Sequence, residues 1–147
     1  MEFIIGFAVI VIILLILGVN IETVIFGFLG LVGAAIALSG LVLLYYGVRL
    51  IFSKRSEAVF TRIGRQEKAR FDTAFYMVSE TELPNVFPAE VILKNRLYST
   101  DKVIRLRVDP GGKFVFDRNS RLTIMIGTPL CVLLSLVIFW TLILVFI

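Results

Sequence analysis

Two long apolar stretches lie at the start of the chain, separated by a short polar break. The first covers residues 3–19 and has no polar side chain, and the second covers residues 24–48. About 17–25 consecutive apolar residues is the length that crosses a bilayer as a helix. In the break, Asn20 and Thr23 are both candidate N-caps for the second helix. The pattern therefore predicts a transmembrane helical hairpin over residues 1–52.

A third apolar stretch reaches the end of the chain, and its start has two interpretations. Apolar residues begin at Leu122, but Gly127, Thr128 and Pro129 interrupt them. A helix could begin near Leu122 and kink at Pro129. Alternatively, Thr128 caps a helix whose first residue is Pro129, a position that favours proline. We prefer the second interpretation, since 19 residues from Pro129 extend about 28 Å, enough to cross. It predicts a third transmembrane helix in residues 127–147.

Between the second and third helices, residues 53–126 have the pattern of a small β-rich domain. Runs of β-branched and aromatic residues bounded by turn residues are typical of strands. The candidate strands are residues 57–63, 73–79, 90–98, Val103–Val108, 113–117 and 121–126. Pro84 and Pro88 predict a loop, since proline is excluded from a central strand. The sequence thus predicts an α+β membrane protein with a small antiparallel sheet or open barrel inserted between helices 2 and 3.

One hairpin inside this domain carries a strong local signal. Val103–Val108 alternates apolar and basic residues, with Arg105 and Arg107 on one face. Asp109-Pro110-Gly111-Gly112 then predicts a tight turn, because proline presets φ and glycine permits positive φ. Phe114 and Phe116 return on one side. We therefore expect an antiparallel hairpin over residues 103–117.

Charge adds an orientation to this arrangement. All fifteen basic residues and nine of the eleven acidic residues lie between Arg49 and Arg121, so that segment carries +6. Because Lys and Arg remain on the cytoplasmic side of bacterial membranes, the inserted domain is expected to be cytoplasmic. The N-terminus would then be cytoplasmic and the C-terminus outside. The expected location is the bacterial inner membrane, in a multi-pass topology.

The residue inventory argues against catalysis and cofactor binding. Histidine is absent, and Cys131 is the single cysteine and lies in an apolar stretch. The chain therefore lacks the commonest metal ligand and the usual neutral-pH base. No phosphate-binding loop or nucleophile motif occurs. We expect no enzymatic activity, no cofactor, no metal and no nucleic-acid partner.

Two sets of residues are candidates for contacts. The second helix carries a stripe of small residues that permits close helix approach, either within the chain or at an oligomer seam. Its members are Gly30, Gly33, Ala34, Ala37, Gly40 and Gly47. A basic set could contact lipid headgroups or an acidic partner, or could simply be a topology signal and a solvated face. Its members are Arg49, Lys54, Arg55, Arg62, Arg65, Arg105, Arg107 and Lys113.

These features lead to three hypotheses about function. The first is a non-enzymatic accessory or assembly subunit of a membrane complex, with membrane lipids and other membrane subunits or further copies of itself as partners. The second is an immunity protein against a membrane-active toxin. The third is a membrane-anchored sensor whose β-domain binds anionic lipid or a small ligand. The first is preferred, because the sequence combines a contact helix and a small domain with no apparent chemistry.

Overall fold

The computed structural model describes residues 2–66, 71–90, 98 and 102–146 of the 147-residue chain. In this part of the chain there are three helices and five strands. The helices are α1 (Glu2–Ile16), α2 (Ile21–Ile51) and α3 (Arg118–Phe146). The strands are β1 (Lys54–Arg65), β2 (Asp72–Val78), β3 (Thr81–Pro88), β4 (Val103–Val108) and β5 (Val115–Phe116).

The chain divides into two compact units. One contains the chain up to Leu41 and from Pro129 onward, and the other is Val42–Thr128. The boundaries fall inside α2 and α3, so each unit contains part of both helices. The barrel described below belongs wholly to the second unit.

The break between α1 and α2 has the local structure that its sequence predicts. Gly18 adopts a φ of +81°, a left-handed conformation that glycine accepts without a Cβ clash. The Val19 amide donates back to the Leu14 carbonyl, which ends α1. Asn20 then caps α2 by accepting a hydrogen bond from the Glu22 amide at 3.3 Å. Of the two predicted caps, Asn20 is therefore the one used.

α2 and α3 are long and apolar enough to cross a membrane, by length and composition. α1 has 15 residues and extends about 22 Å, less than the roughly 30 Å hydrocarbon core. The three helices of the sequence prediction are present among the described residues. Two of them have the length of a membrane span.

The preferred start of the third helix at Pro129 is wrong, because α3 begins at Arg118 and Pro129 lies inside it; the alternative, a helix that begins near Leu122 and contains Pro129, is closer, since Leu122 lies four residues after the observed start. Asp117 provides the cap: its Oδ1 accepts the Ser120 amide at 2.7 Å, and its carbonyl accepts the Arg121 amide. Residues 121–126 are consequently helical and do not form a strand. The alternating apolar residues that suggested a strand lie on different faces of the helix: Ile124 is buried, whereas Leu122 and Ile126 are exposed.

The five strands form a closed barrel in the order β1-β2-β3-β5-β4. Strand β4 lies beside β1, giving the spatial order 4-1-2-3 of a Greek key. Strand β5 closes the barrel by pairing antiparallel with β4 and parallel with β3. The predicted antiparallel, open arrangement is therefore corrected to a mixed, closed one.

Most predicted strands are present. The structure confirms strands at 57–63 and 73–79, the strand Val103–Val108, and the turn that follows it, where the Gly112 amide donates to the Asp109 carbonyl. Of residues 113–117, only Val115–Phe116 is extended as β5. The predicted strand over 90–98 falls mainly outside the described residues.

The predicted loop at Pro84 and Pro88 is wrong, because both lie in β3. Among the described residues β3 pairs with β5 only at Asn85 and Val115. Within the described residues neither proline is paired on that side of β3, and proline is tolerated where its position needs no N–H for the ladder.

Apolar side chains form two clusters within the second unit. One fills the barrel and includes Phe60, Tyr76, Leu106 and Val115. The other joins α2 and α3 to the barrel: it buries Leu50, Phe116 and Ile124, with Tyr46, Phe87 and Phe114 packed around them. The Tyr46 ring lies edge-on to the Phe87 and Phe114 rings, each at 5.9 Å. One side of the barrel is thus covered by the chain's own helices.

Candidate functional site

Arg49 holds the barrel to the last turns of α2. Its Nε lies 2.9 Å from Oδ1 of Asp109, and its Nη2 donates to Oδ2 at 3.0 Å. This ion pair is partly buried, since the side chains of Arg49 and Asp109 are 28% and 0% exposed. The guanidinium also lies 5.0 Å from the ring centre of Phe114, a cation–π distance. Arg49 is therefore a structural tie between helix and barrel.

Arg107 makes a second tie. Its Nη1 donates to the Leu50 carbonyl at 2.9 Å, near the C-terminal end of α2, where a cation complements the helix dipole. Two residues separate α2 from β1, and one separates β5 from α3. The barrel is therefore joined to both helices without a flexible linker.

Arg62 belongs to a surface ion pair on the barrel. Its Nε and Nη2 donate to the two carboxylate oxygens of Glu82, each at 3.0 Å. The hydrogen bonds from Arg62 lower the pKa of the Glu82 carboxyl below its ordinary value, and Glu82 raises the pKa of Arg62. The Arg62 guanidinium also lies 4.6 Å from the Phe75 ring centre. Two of its three donor nitrogens are therefore engaged within the chain.

The structure places the remaining predicted basic residues at different parts of the second unit. Lys54 is exposed at the start of β1, Arg65 is exposed at the end of the same strand beside Asp72, and Lys113 is exposed in the β4–β5 turn. Arg55, Arg105 and Arg107 are brought together on β1 and β4. The predicted set is therefore not one continuous patch.

Arg55, Arg105 and Arg107 line an open groove of about 620 Å³, here called the basic groove. Its lining residues are Arg55, Ser56, Glu57, Arg105, Leu106, Arg107 and Arg121. Arg55 and Arg107 are directly paired across β1 and β4, and Glu57 is paired with Arg105. Glu57 and Arg105 form a loose, exposed ion pair at 3.7 Å. Four arginines and one glutamate give the groove a net charge of +3.

Arg121 is the member that the sequence prediction omitted. It lies four residues after Asp117, and its Nε donates to the Asp117 carbonyl at 3.4 Å. The sequence pattern predicts a strand over residues 121–126, and a strand does not bring Arg121 beside the other arginines of the groove. Recognising Asp117 as an N-cap would have placed Arg121 in the first turns of a helix.

A second groove, here called the apolar groove, has a volume of about 540 Å³. Its lining residues are Leu44, Gly47, Val48, Leu50, Ile51, Arg107, Arg121, Ile124, Met125 and Thr128. All belong to the second unit, and most come from α2 and α3. Arg107 and Arg121 line both grooves, so an apolar channel between the helices adjoins a basic surface on the barrel.

The barrel wall also carries an apolar patch. Val59 of β1 is directly paired with Met77 of β2 and with Val103 of β4. Directly paired residues project from the same face, so the three side chains form a row across three strands. They are 37%, 40% and 64% exposed, respectively. We call this row the outer stripe; the sequence prediction did not identify it.

A buried polar network fixes the junction of barrel and α3. The Tyr76 hydroxyl donates to Asp117 Oδ2 at 3.2 Å, and the Ser120 hydroxyl donates to Asn85 Oδ1 at 2.8 Å. Burial raises the pKa of Tyr76 well above its ordinary value, and the Asp117 carboxylate raises it further. The tyrosine is therefore a neutral donor that holds Asp117 in its capping position.

Four of the predicted packing glycines of α2 face α3 of the same chain. In the first unit, a Cβ added at Gly33 would lie 2.8 Å from Ile138, and one at Gly40 would lie 3.1 Å from Cys131. A Cβ added at Gly30 would lie 3.8 Å from Leu142. In the second unit, a Cβ added at Gly47 would lie 3.4 Å from Ile124. Ala37 is half-buried, whereas Ala34 is exposed. These glycines allow the two helices to approach closely.

Among the described residues, no group of three or more Asp, Glu or Cys side chains is arranged to hold a metal ion. Comparison with known protein families, with curated proteins and with solved structures gives no match to this chain.

Proposed function

We propose that this chain is a non-enzymatic, multi-pass membrane protein that acts through protein contacts, as an accessory or assembly subunit of a membrane complex. The barrel would be cytoplasmic and would present the contact surface. The membrane placement is supported by the length and composition of α2 and α3 and by the concentration of Lys and Arg between them. In this proposal α1 makes a third crossing together with the apolar residues that follow it.

The observation that carries the proposal is the outer stripe. Exposed apolar neighbours on a barrel wall are costly to leave in water, and such patches often mark contact surfaces. Val59, Met77 and Val103 lie side by side in register, although strand alternation would allow polar residues at each position. A partner subunit with an apolar surface of its own would remove all three from water.

The rigid attachment of the barrel supports an assembly role. The ties through Arg49 and Arg107, together with the short connections, fix the barrel against the helix ends in the second unit. A surface that is already oriented loses less conformational entropy when it binds than a tethered domain does.

The test is site-specific photocrosslinking in native membranes. A crosslinker at Val103 should give one dominant adduct of defined mass, and one at Thr81 on β3, an exposed position away from the stripe, should not. Met77→Glu should abolish the adduct from Val103, whereas Thr81→Glu should preserve it. The proposal is wrong if Val103 gives no discrete adduct while the protein is folded and at its native level.

A further inference from the structure

We propose that the basic and apolar grooves together bind one acidic phospholipid, with its phosphate at the arginines and the upper part of an acyl chain between α2 and α3. This inference uses the membrane placement of the proposed function, but it does not require a protein partner. The occupant is recognised by its chemistry: an anionic phosphate joined to a hydrocarbon chain.

The first argument is the arrangement of charge. Arg55 and Arg107 are directly paired on neighbouring strands, and like charges in that position are destabilising. Arg107 donates to a carbonyl, and no ion pair joins either arginine to a carboxylate among the described residues. An anion between them would convert a repulsion into two attractions. Guanidinium groups are suited to phosphate because they donate bidentate hydrogen bonds.

The second argument is continuity with an apolar surface. Arg107 and Arg121 line both grooves, and beyond them the lining turns apolar with Ile124 and Met125 on α3 and Val48 on α2. Arg121 and Thr128 are seven residues apart, about 10 Å along the helix. A free phosphate ion would use only the basic end. A phospholipid would use both ends at once.

The third argument is depth. α2 ends at Ile51, just after the apolar residues of the groove, and the charged strand β1 begins at Lys54. This change from apolar to basic is where a cytoplasmic leaflet places its headgroups, and each basic residue near an anionic surface contributes about 1 kcal/mol. The groove therefore lies at the level of the lipid that it would hold.

The experiment is native mass spectrometry of the full chain released from nanodiscs that contain equal amounts of phosphatidylglycerol and phosphatidylcholine with identical acyl chains. We expect one retained phosphatidylglycerol for each chain. The double variant Arg55→Gln, Arg121→Gln should lower its retention about 30-fold, roughly fivefold for each arginine. The matched variant Lys54→Gln, Lys113→Gln removes the same charge from exposed sites outside the groove and should retain the lipid.

A second pair of variants tests the apolar end. Met125→Trp fills the groove and should reduce lipid retention, whereas Leu122→Trp, an exposed position on the same helix outside the groove, should not. Thermal unfolding in detergent identifies any variant that is misfolded. If the double arginine variant is misfolded, the single variant Arg55→Gln is used in its place. Its lipid retention should fall about fivefold.

Three outcomes would overturn the proposal. Equal retention of phosphatidylglycerol and phosphatidylcholine would show that the site does not recognise the charge of the headgroup. Equal loss in the lysine variant would indicate general attraction to the surface. Displacement of the lipid by millimolar inorganic phosphate, with Met125→Trp silent, would indicate a site for a free anion. Crosslinking through Val103 is independent of all three, so failure here is distinguishable from failure of the subunit proposal.

Discussion

At the scale of single residues, the arginines of this protein differ in what their charge is used for. Arg49 is committed to the buried carboxylate of Asp109, Arg62 is committed to Glu82 at the surface, and Arg55 pairs with another arginine. Their sequence neighbourhoods are similar, since each lies in a run of mixed basic and apolar residues. The partner that the fold supplies is what distinguishes an arginine with a structural role, such as Arg49, from one, such as Arg55, that makes no ion pair in the described part of the chain and whose charge is available to bind a ligand.

Replacing Arg49 should be costly, because it leaves the Asp109 carboxylate buried without its counter-ion. We expect Arg49→Met to lower the free energy of unfolding by about 3 kcal/mol. Lys54→Met, which removes an exposed charge five residues away, should have little effect. Denaturant unfolding in mild detergent measures both. Equal losses in the two variants would contradict a structural role for the Arg49–Asp109 pair.

The Arg62–Glu82 pair gives a pH prediction. Because the folded-state pKa of Glu82 is lowered, its contribution to stability is present above the ordinary carboxyl pKa and is lost as the pH falls through the folded-state value. Arg62→Gln should return the pKa of Glu82 toward its ordinary value and remove that contribution. Carbon-13 NMR titration of the glutamate carboxyls measures the shift. Arg105→Gln is the control and should leave the pKa of Glu82 unchanged; a Glu82 pKa that stays low in Arg62→Gln would refute the assignment.

At the scale of elements, the sequence located strands by composition but misjudged where β-structure gives way to helix. Residues 121–126 satisfy a period of two, yet they are helical because Asp117 caps α3 and the helix buries Ile124 against Leu50. The turn between β2 and β3 also escaped sequence analysis. Ser79 and Glu80 both have positive φ, which a two-residue hairpin of type I′ requires but which usually selects asparagine and glycine.

The start of α3 can be tested at its cap. Asp117→Ala removes the acceptor of the Ser120 amide and of the Tyr76 hydroxyl, so we expect a loss of about 2 kcal/mol in the free energy of unfolding. Asp117→Asn keeps a capping oxygen and should lose markedly less. Thermal or denaturant unfolding distinguishes them. If both variants lose equally, the negative charge and not the cap is what stabilises the junction.

At the scale of the whole molecule, the charge distribution predicts which side of the membrane the barrel occupies. Reporter fusions inserted at Gly112 and joined after Ile147 should report opposite sides, with the Gly112 fusion cytoplasmic. Gly112 suits the insertion because it is an exposed turn residue with no atom within 4 Å of an added Cβ. Reporters on the same side would mean that α3 does not cross, and reversed sides would place the barrel outside.

The sequence alone determined the apolar helices, the basic segment between them, the Asp109–Gly112 turn and most of the strands. These are local properties, set by composition, by the φ that proline and glycine permit, and by the period of apolar residues. Closure of the barrel, the parallel β3–β5 pairing, the joining of Arg55, Arg107 and Arg121 and the row of Val59, Met77 and Val103 were decided by tertiary structure. Each depends on register between segments that are distant in the chain, and no local pattern records that register.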